Sequence, residues 1–204
     1  MRLYAKHLFP HLLDWAMRHP RLDPYRDRTI AAARGRVLEI GVGSGLNLAR
    51  YCPAVDRVYA LDPSPALLRL ACRRAAQAPV AVSLLQAAAE QLPFAAAVFD
   101  TVVMTWVLCS IAAPAAALAE IRRVLKPGGE LLFVEHGLSC EPRIARWQRR
   151  ITPAWRRLGG GCHLDRDVEA LIRTAGFRLS ALESGYMKGP KPWTFLYQGR
   201  AGAG

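Results

Sequence analysis

Residues 37–45 read Val37-Leu38-Glu39-Ile40-Gly41-Val42-Gly43-Ser44-Gly45, an apolar run that passes directly into three glycines at every second position. Glycines in that rhythm supply positive φ in a tight turn and let backbone N–H groups come close to a ligand. The dinucleotide pattern G-x-G-x-x-G needs its third glycine at position 46, which is Leu46. Gly45 makes the pattern G-x-G-x-G instead, with Glu39 two residues ahead of Gly41, and that spacing speaks against NAD. A glycine triplet alone also describes an ordinary strand-to-helix turn, so its meaning depends on a second element. Asp62 is that element: it ends the next apolar run, 17 residues after Gly45. A carboxylate there can accept both hydroxyls of a ribose. Capping of the following helix falls to Ser64, which precedes Pro65.

Working outward from this loop, strand-like runs alternate with helical patterns to the end of the chain. The strands are expected at 36–40, 57–61, 80–86, 101–105, 130–135, 177–183 and 193–198. The fold class is therefore α/β, a doubly wound, mostly parallel seven-stranded sheet. One helix opens at Ser64-Pro65. A second opens at Pro114, lines one face with Leu118, Ile121, Val124 and Leu125, and ends at Lys126-Pro127-Gly128-Gly129, with Arg122 and Arg123 left in solvent. A third opens at Asp165 or Asp167 and closes at Gly176. Residues 1–35 read as two short helices divided by His19, Pro20 and Pro24, a helical cap on the 36–204 domain, which carries an insertion near 138–163. Leu3, Leu8, Leu12, Leu13, Trp15 and Met17 alternate there with Lys6, His7, His11 and Arg18.

The chain has 204 residues, 52% of them hydrophobic, enough for one domain with a core of its own, which excludes a disordered or collagen-like chain. Its formal net charge of +12 is spread along the chain as arginine, and only Lys6, Lys126, Lys188 and Lys191 are lysines. Charge alone would admit a nucleic acid or a lipid surface, but no RNA-binding appendage or stacking platform is visible. Cys52, Cys72, Cys109, Cys140 and Cys162 share no spacing and form no CxxC, so neither a disulfide framework nor a zinc knuckle is expected. A reducing, cytoplasmic setting fits that cysteine usage. No apolar run approaches the length of a membrane span, and the N-terminus lacks the apolar centre of a signal peptide.

At this point the chain resembles the class I S-adenosylmethionine-dependent methyltransferases, from about Arg36 to the C-terminus. Glu39 with Gly41, Gly43 and Gly45 is similar to that family's first motif, and Asp62 to its second-strand acid. The stretch Ala87-Ala88-Ala89-Glu90-Gln91-Leu92-Pro93-Phe94 looks like the family's G-D-A-E-x-L-P-F, with Ala88 where the family has its adenine-contacting Asp. Adenine would then rest on backbone near Ala89 and Glu90. Phe99-Asp100 and Arg123-Val124-Leu125-Lys126-Pro127-Gly128-Gly129 also match the family in order. The resemblance implies S-adenosylmethionine as cofactor, held by Glu39, Gly41, Gly43, Ser44, Gly45, Asp62, Pro63, Ala89, Glu90, Thr105 and Trp106.

A narrower resemblance is carried by Trp106-Val107-Leu108-Cys109-Ser110, Phe133-Val134-Glu135-His136, Trp147-Gln148, Pro153-Ala154-Trp155 and Gly161-Cys162-His163-Leu164. These look like the methyltransferase-like thiol S-methyltransferase branch, whose vertebrate members attach to membranes through a hydrophobic N-terminus that residues 1–35 do not resemble. A small acceptor is implied, with sulfur favoured. A thiol must lose its proton, and His136 and His163, both expected where the strands' carboxyl ends open, are the candidate bases. Each also fits an ordinary hydrogen-bonded histidine. Cys109 reads as a small buried side chain, and Cys140 and Cys162 with His136 and His163 lack the regular spacing of a metal site, so no metal is expected. Trp106, Trp147, Trp155 and Trp193 are candidates for the pocket wall.

Arg143 to Arg157 carries six arginines and no acid, with Ile144, Trp147 and Ile151 at helical spacing. The pattern fits a helix packed on one side, or one that docks on a membrane surface or an anionic acceptor. Phospholipid headgroup N-methylation is the competing reading, followed by RNA methylation and by a non-catalytic cofactor-binding protein.

Overall fold

The computed structural model describes residues 8–203, so Leu3, Lys6 and His7 of the N-terminal pattern lie outside the described residues. Seven strands form one sheet: β1 (Gly35–Ile40), β2 (Val55–Leu61), β3 (Ala81–Leu85), β4 (Phe99–Thr105), β5 (Leu125–His136), β6 (Phe177–Tyr186) and β7 (Phe195–Ala203). Their order is β3-β2-β1-β4-β5-β7-β6. The first five are parallel, and β7 runs antiparallel to both β5 and β6.

Neighbouring residues on a strand point to opposite faces, and here both faces are apolar. Leu38, Val102 and Leu131 join a core on one side with α4 (Pro114–Val124) and α6 (Val168–Thr174), while Val37, Val103 and Leu132 join a second core on the other. Covering both faces is why β1, β4 and β5 read as unbroken apolar runs. What remains open is the row of carboxyl-terminal strand ends. The chain reverses its direction of winding between β1 and β4, and ligands of such sheets bind in the crevice at that switch.

The expected helix starts are where the sequence puts them. Ser64 Oγ accepts the N–H of Leu67 at 3.3 Å to open α3 (Pro65–Ala75), and Asp167 Oδ1 accepts that of Ala170 at 3.0 Å to open α6. Three details differ from the sequence reading. The helix α4 stops at Val124 and β5 begins at once at Leu125, because Leu125 pairs with Phe99 and the ladder then shifts register around the Pro127-Gly128-Gly129 turn. Arg123 is exposed but does more than meet solvent: it binds Glu120 and donates to the carbonyls of Leu92 and Phe94, clasping the loop before β4. Trp193 lies in a helical turn, α7 (Lys191–Thr194), set by two prolines, and β7 starts only at Phe195.

Before the sheet, α1 (Phe9–Met17) is followed by a single 3-10 turn and by α2 (Asp23–Ile30), with Pro24 in the first turn of α2 rather than between the helices. Buried Ile30 anchors α2 in the second core, and Gln198 Nε2 on β7 donates to Tyr25 O and Thr29 Oγ1. The tie for α1 is polar. Asp14 bonds Arg74 of α3 at 2.9 Å, and Arg74 also donates to Ser44 O in the glycine loop. Ser64→Ala should remove the α3 cap and lower stability by about 1 kcal/mol. That corresponds to a melting point about 2–4 °C lower, read by circular dichroism.

Candidate functional site

All the loops implicated by the sequence meet at the carboxyl ends of the parallel strands. At the end of β1, Glu39 is fully buried: its Oε1 accepts from Asn47 Nδ2 at 2.8 Å and its Oε2 from the Tyr51 hydroxyl at 2.9 Å. Burial raises its pKa to about 7, against those two hydrogen bonds and the charge of Arg26, which pull it down. Glu39 therefore folds the glycine loop rather than facing a cavity. Gly41 sits at φ +66°, and a Cβ there would fall 2.2 Å from Val107 Cγ2, so both conformation and space call for glycine. At the end of β2, Asp62 Oδ2 accepts from Gly43 N at 3.0 Å and Oδ1 from Ser64 N at 2.8 Å. Burial raises its pKa, opposed by those same two bonds.

A small cavity beside this loop is lined by Gly41, Gly43, Ser44, Asn47, Thr105 and Trp106, with Leu13, Met17 and Arg26 closing it from α1 and α2. Two buried atoms of its lining make no hydrogen bond among the described residues: the donor Arg26 Nε and the acceptor Asn47 Oδ1. Such groups are costly unless a ligand completes them. Arg26 lies 4.8 Å above the Trp106 ring, and burial first, then the charge of Arg50, lowers its pKa to about 10, so it stays cationic at neutral pH. Trp106 itself is held at φ +52°, a conformation an L-residue with a bulky side chain rarely adopts, directly between the two cavities of the site.

The larger cavity, about 780 Å³, opens on the other side of Trp106. Its walls are Phe9, Leu12, Leu13 and Met17 of α1, Trp155 and Leu158 of α5 (Pro142–Leu158), and Trp193 and Leu196 near β7. Trp155 and Trp193 pack edge to face at 5.8 Å. Arg21 and Lys188 also line it, and no acidic residue does among the described ones. Cys109, His136 and Cys162 are grouped in this lining, with ligand atoms within 4.8 Å of one another. Backbone bonds make that grouping: His163 N donates to Cys109 O at 2.8 Å, which brings the loop after α5 onto the turn after β4. The buried carboxylate of Glu135 holds that turn by accepting from Val107 N and Leu108 N, both at 3.0 Å, and Arg166 clasps it by donating to Leu108 O and Ile111 O.

The electrostatics of this group are coupled. The interaction with Cys109 lowers the pKa of Cys162, against burial, whereas the interaction with Cys162 and burial push the Cys109 thiol well up. Cys162 Sγ lies 3.9 Å from His136 Nδ1, and His136 Nε2 has no hydrogen-bond partner among the described residues.

A family model for a methyltransferase domain matches residues 38–133. Phosphatidylethanolamine N-methyltransferase of Cereibacter sphaeroides is 33% identical to the chain over 177 residues, 84% of each protein. The chain belongs to the class I S-adenosylmethionine-dependent methyltransferases. Thiol S-methyltransferase TMT1B of Rattus norvegicus is 35% identical over 153 residues, 72% of this chain and 62% of that protein, so the chain spans about three fifths of the length of that relative. Among solved structures, N-methyltransferase NodS of Bradyrhizobium japonicum, in complex with S-adenosyl-L-homocysteine, shares the fold with a TM-score of 0.69 at 18% identity, over 92% of this chain and 90% of that one.

Within this methyltransferase frame, Gly41, Gly43, Ser44, Thr105 and Trp106 line the small cavity. Gly45 packs against Leu48 and Ala71 instead. Pro63, Ala89 and Glu90 stand after β2 and β3: Pro63 is exposed, Ala89 is core, and Glu90 accepts from Ala113 N at 3.2 Å. His136 faces the large cavity, whereas His163 points its Nδ1 at Asp165, 3.5 Å away, and is absent from the lining. Burial and the charges of Arg166 and Arg156 lower its pKa. Three of the four candidate tryptophans line the cavity. The fourth, Trp147, is 57% exposed, because α5 packs through Ala145, Gln148 and Thr152 rather than through its apolar stripe. Gln148 explains this choice: it bonds Ser139 N, Gly137 O and Pro192 O. Arg26, Asn47 and Cys109 as part of a cluster were missed by sequence reasoning; only an unbroken Asn47 between two apolar neighbours hinted at a buried amide.

The raised pKa of Glu39 sets a pH dependence. Between about 4.5 and about 7 the folded state holds a proton there that the unfolded chain releases, so this group's contribution to stability is lost as pH rises through that window. Urea titrations across it should show wild type losing stability relative to Glu39→Gln, with the two converging at the acid end.

Proposed function

We propose that the chain transfers the methyl group of S-adenosylmethionine to the sulfur of a small, largely apolar thiol. The observation that carries the reading is the large apolar cavity with Cys109, His136 and Cys162 at its lining, which shares Trp106, Leu13 and Met17 with the glycine-loop cavity beside it. The likeness to thiol S-methyltransferase TMT1B supports it.

On the donor side, Arg26 Nε and Asn47 Oδ1 offer a donor and an acceptor that suit the carboxylate and the ammonium of the methionine end. Asp62 keeps lone pairs for two ribose hydroxyls beyond its two backbone bonds. The Trp106 ring, which borders both cavities, would favour the positive charge of the donor's sulfonium. Displacement at the methyl carbon is in line, so the protein's task is to align acceptor and donor and exclude water. Apolar walls do the second. For the acceptor's proton, His136 is the histidine in reach of the cavity, and the cationic rim of Arg21 and Lys188 favours an anionic acceptor sulfur.

A second reading rests on the cavity mouth. Leu12, Leu158 and Trp193 are exposed there beside the arginine-rich face of α5, an arrangement suited to an acceptor drawn from a lipid surface. The relative that N-methylates phosphatidylethanolamine supports it. No helix among the described residues is long and apolar enough to cross a membrane.

Purified protein incubated with methyl-labelled S-adenosylmethionine should label small alkyl thiols and leave ethanolamine phospholipid vesicles unlabelled; label in the vesicles alone would make the second reading the right one. Asp62→Ala should weaken donor binding about 100-fold in a calorimetric titration, the worth of two charge-assisted hydrogen bonds. His136→Ala should lower turnover about 100-fold while leaving donor affinity unchanged.

A further inference from the structure

The three side chains that meet at the cavity lining are two thiols and an imidazole, a donor set suited to a soft divalent cation. Each offers one ligand atom, all three within 4.8 Å of one another, and all three border the cavity. A tetrahedral zinc with Zn–S of about 2.3 Å holds its ligands about 3.5–3.8 Å apart, within reach of small side-chain rotations from this geometry. His136 is buried, its Nδ1 faces Cys162 Sγ at 3.9 Å, and its Nε2 makes no hydrogen bond among the described residues, so no strong partner competes with a metal for the ring. Structural zinc sites are closed by four protein ligands, whereas catalytic ones have three and keep a position for water or substrate. Here the three ligands leave that position on the cavity side.

We infer that Cys109, His136 and Cys162 bind one zinc ion, or another soft divalent cation, whose fourth position takes the acceptor's sulfur. The inference rests on the thiol reading for its substrate, but the metal site stands on the geometry alone. Two thiolates and one Zn²⁺ cancel, so the loaded centre is neutral, as an apolar cavity requires. The Arg166 guanidinium behind the turn compensates the negative charge added when a thiolate binds.

The step balances without a further reactant. With zinc bound, the metal displaces the proton of the acceptor R–SH to water, and His136, a ligand in this form, gives up the base role it has in the metal-free reading. A lone pair on the bound thiolate sulfur forms the new S–CH₃ bond as the C–S⁺ bond of the donor breaks. That electron pair stays on the donor sulfur and leaves neutral S-adenosylhomocysteine. The R–S–CH₃ product is a neutral thioether, a poorer zinc ligand than the thiolate, and departs.

Zinc content is the direct test. Chelator-treated full-length protein, dialysed against a zinc buffer, should take up one zinc per chain. Cobalt(II) in its place should show thiolate-to-metal charge transfer and tetrahedral d–d bands that change when a small thiol is added. Cys109→Ser with Cys162→Ser should weaken zinc binding at least 100-fold while circular dichroism and donor affinity are kept, and Cys140→Ser should bind as wild type does. Failure of wild type to bind zinc, or unchanged binding in the double variant, would overturn the site. Thiol methylation at full rate by metal-stripped protein would overturn the metal's role and leave the thiol reading intact. Zinc bound through these residues with no thiol methylated would keep the site and discard the thiol reading.

Discussion

A carboxylate buried at the end of a central strand stays there only if its oxygens are hydrogen-bonded. Glu39 meets that condition by taking Asn47 Nδ2 and the Tyr51 hydroxyl, and in doing so folds residues 41–51 back across the end of β1. The glycine loop is shaped by this constraint, and much of the donor side follows from it. Asn47 also donates to Thr105 at the end of β4, which ties the loop across the switch between β1 and β4 where the crevice opens. Gly43 N is in turn claimed by Asp62 from β2. Three parallel strands are thereby tied together at their carboxyl ends by buried polar groups.

The same device recurs two strands over. Glu135, buried at the end of β5, accepts two backbone N–H groups of the turn after β4, and Arg166 takes the carbonyls of that turn. Trp106 and Cys109 are displayed by a turn fixed from both sides, which is how a strained φ at Trp106 can persist. Burial pushes the pKa of Glu135 well up, and the nearby Cys109 adds to this, against the backbone N–H groups that the side chain accepts.

The walls are built differently from the framework. Helices α1 and α5 close the large cavity with apolar side chains, yet each is anchored by a polar group: Asp14 to Arg74 for α1, Gln148 to the loop after β5 for α5. Apolar contact alone gives no unique docking angle, whereas a hydrogen bond made in a dry place does. That division lets the cavity face stay apolar and ready for an acceptor while the helices keep their position.

The sheet, its strand order class and the glycine loop were legible in residues 36–62 and in the helix starts at Ser64, Pro114 and Asp167, because these depend on local periodicity, turn chemistry and caps. The exact start of β7 was not, since two prolines around Lys191 impose a helical turn that an apolar run does not reveal. Arg26 and Asn47 were invisible as a pair, coming from α2 and from the loop after β1. Cys109, His136 and Cys162 have no motif spacing at all; they meet because β4 and β5 are neighbours in the sheet and because His163 N stitches the loop after α5 to Cys109 O. The sequence by itself determined the elements and the cofactor class, which short-range chemistry specifies. Only the tertiary structure decided which distant side chains share the cavity, since strand order and long-range hydrogen bonds set that and leave no periodic trace.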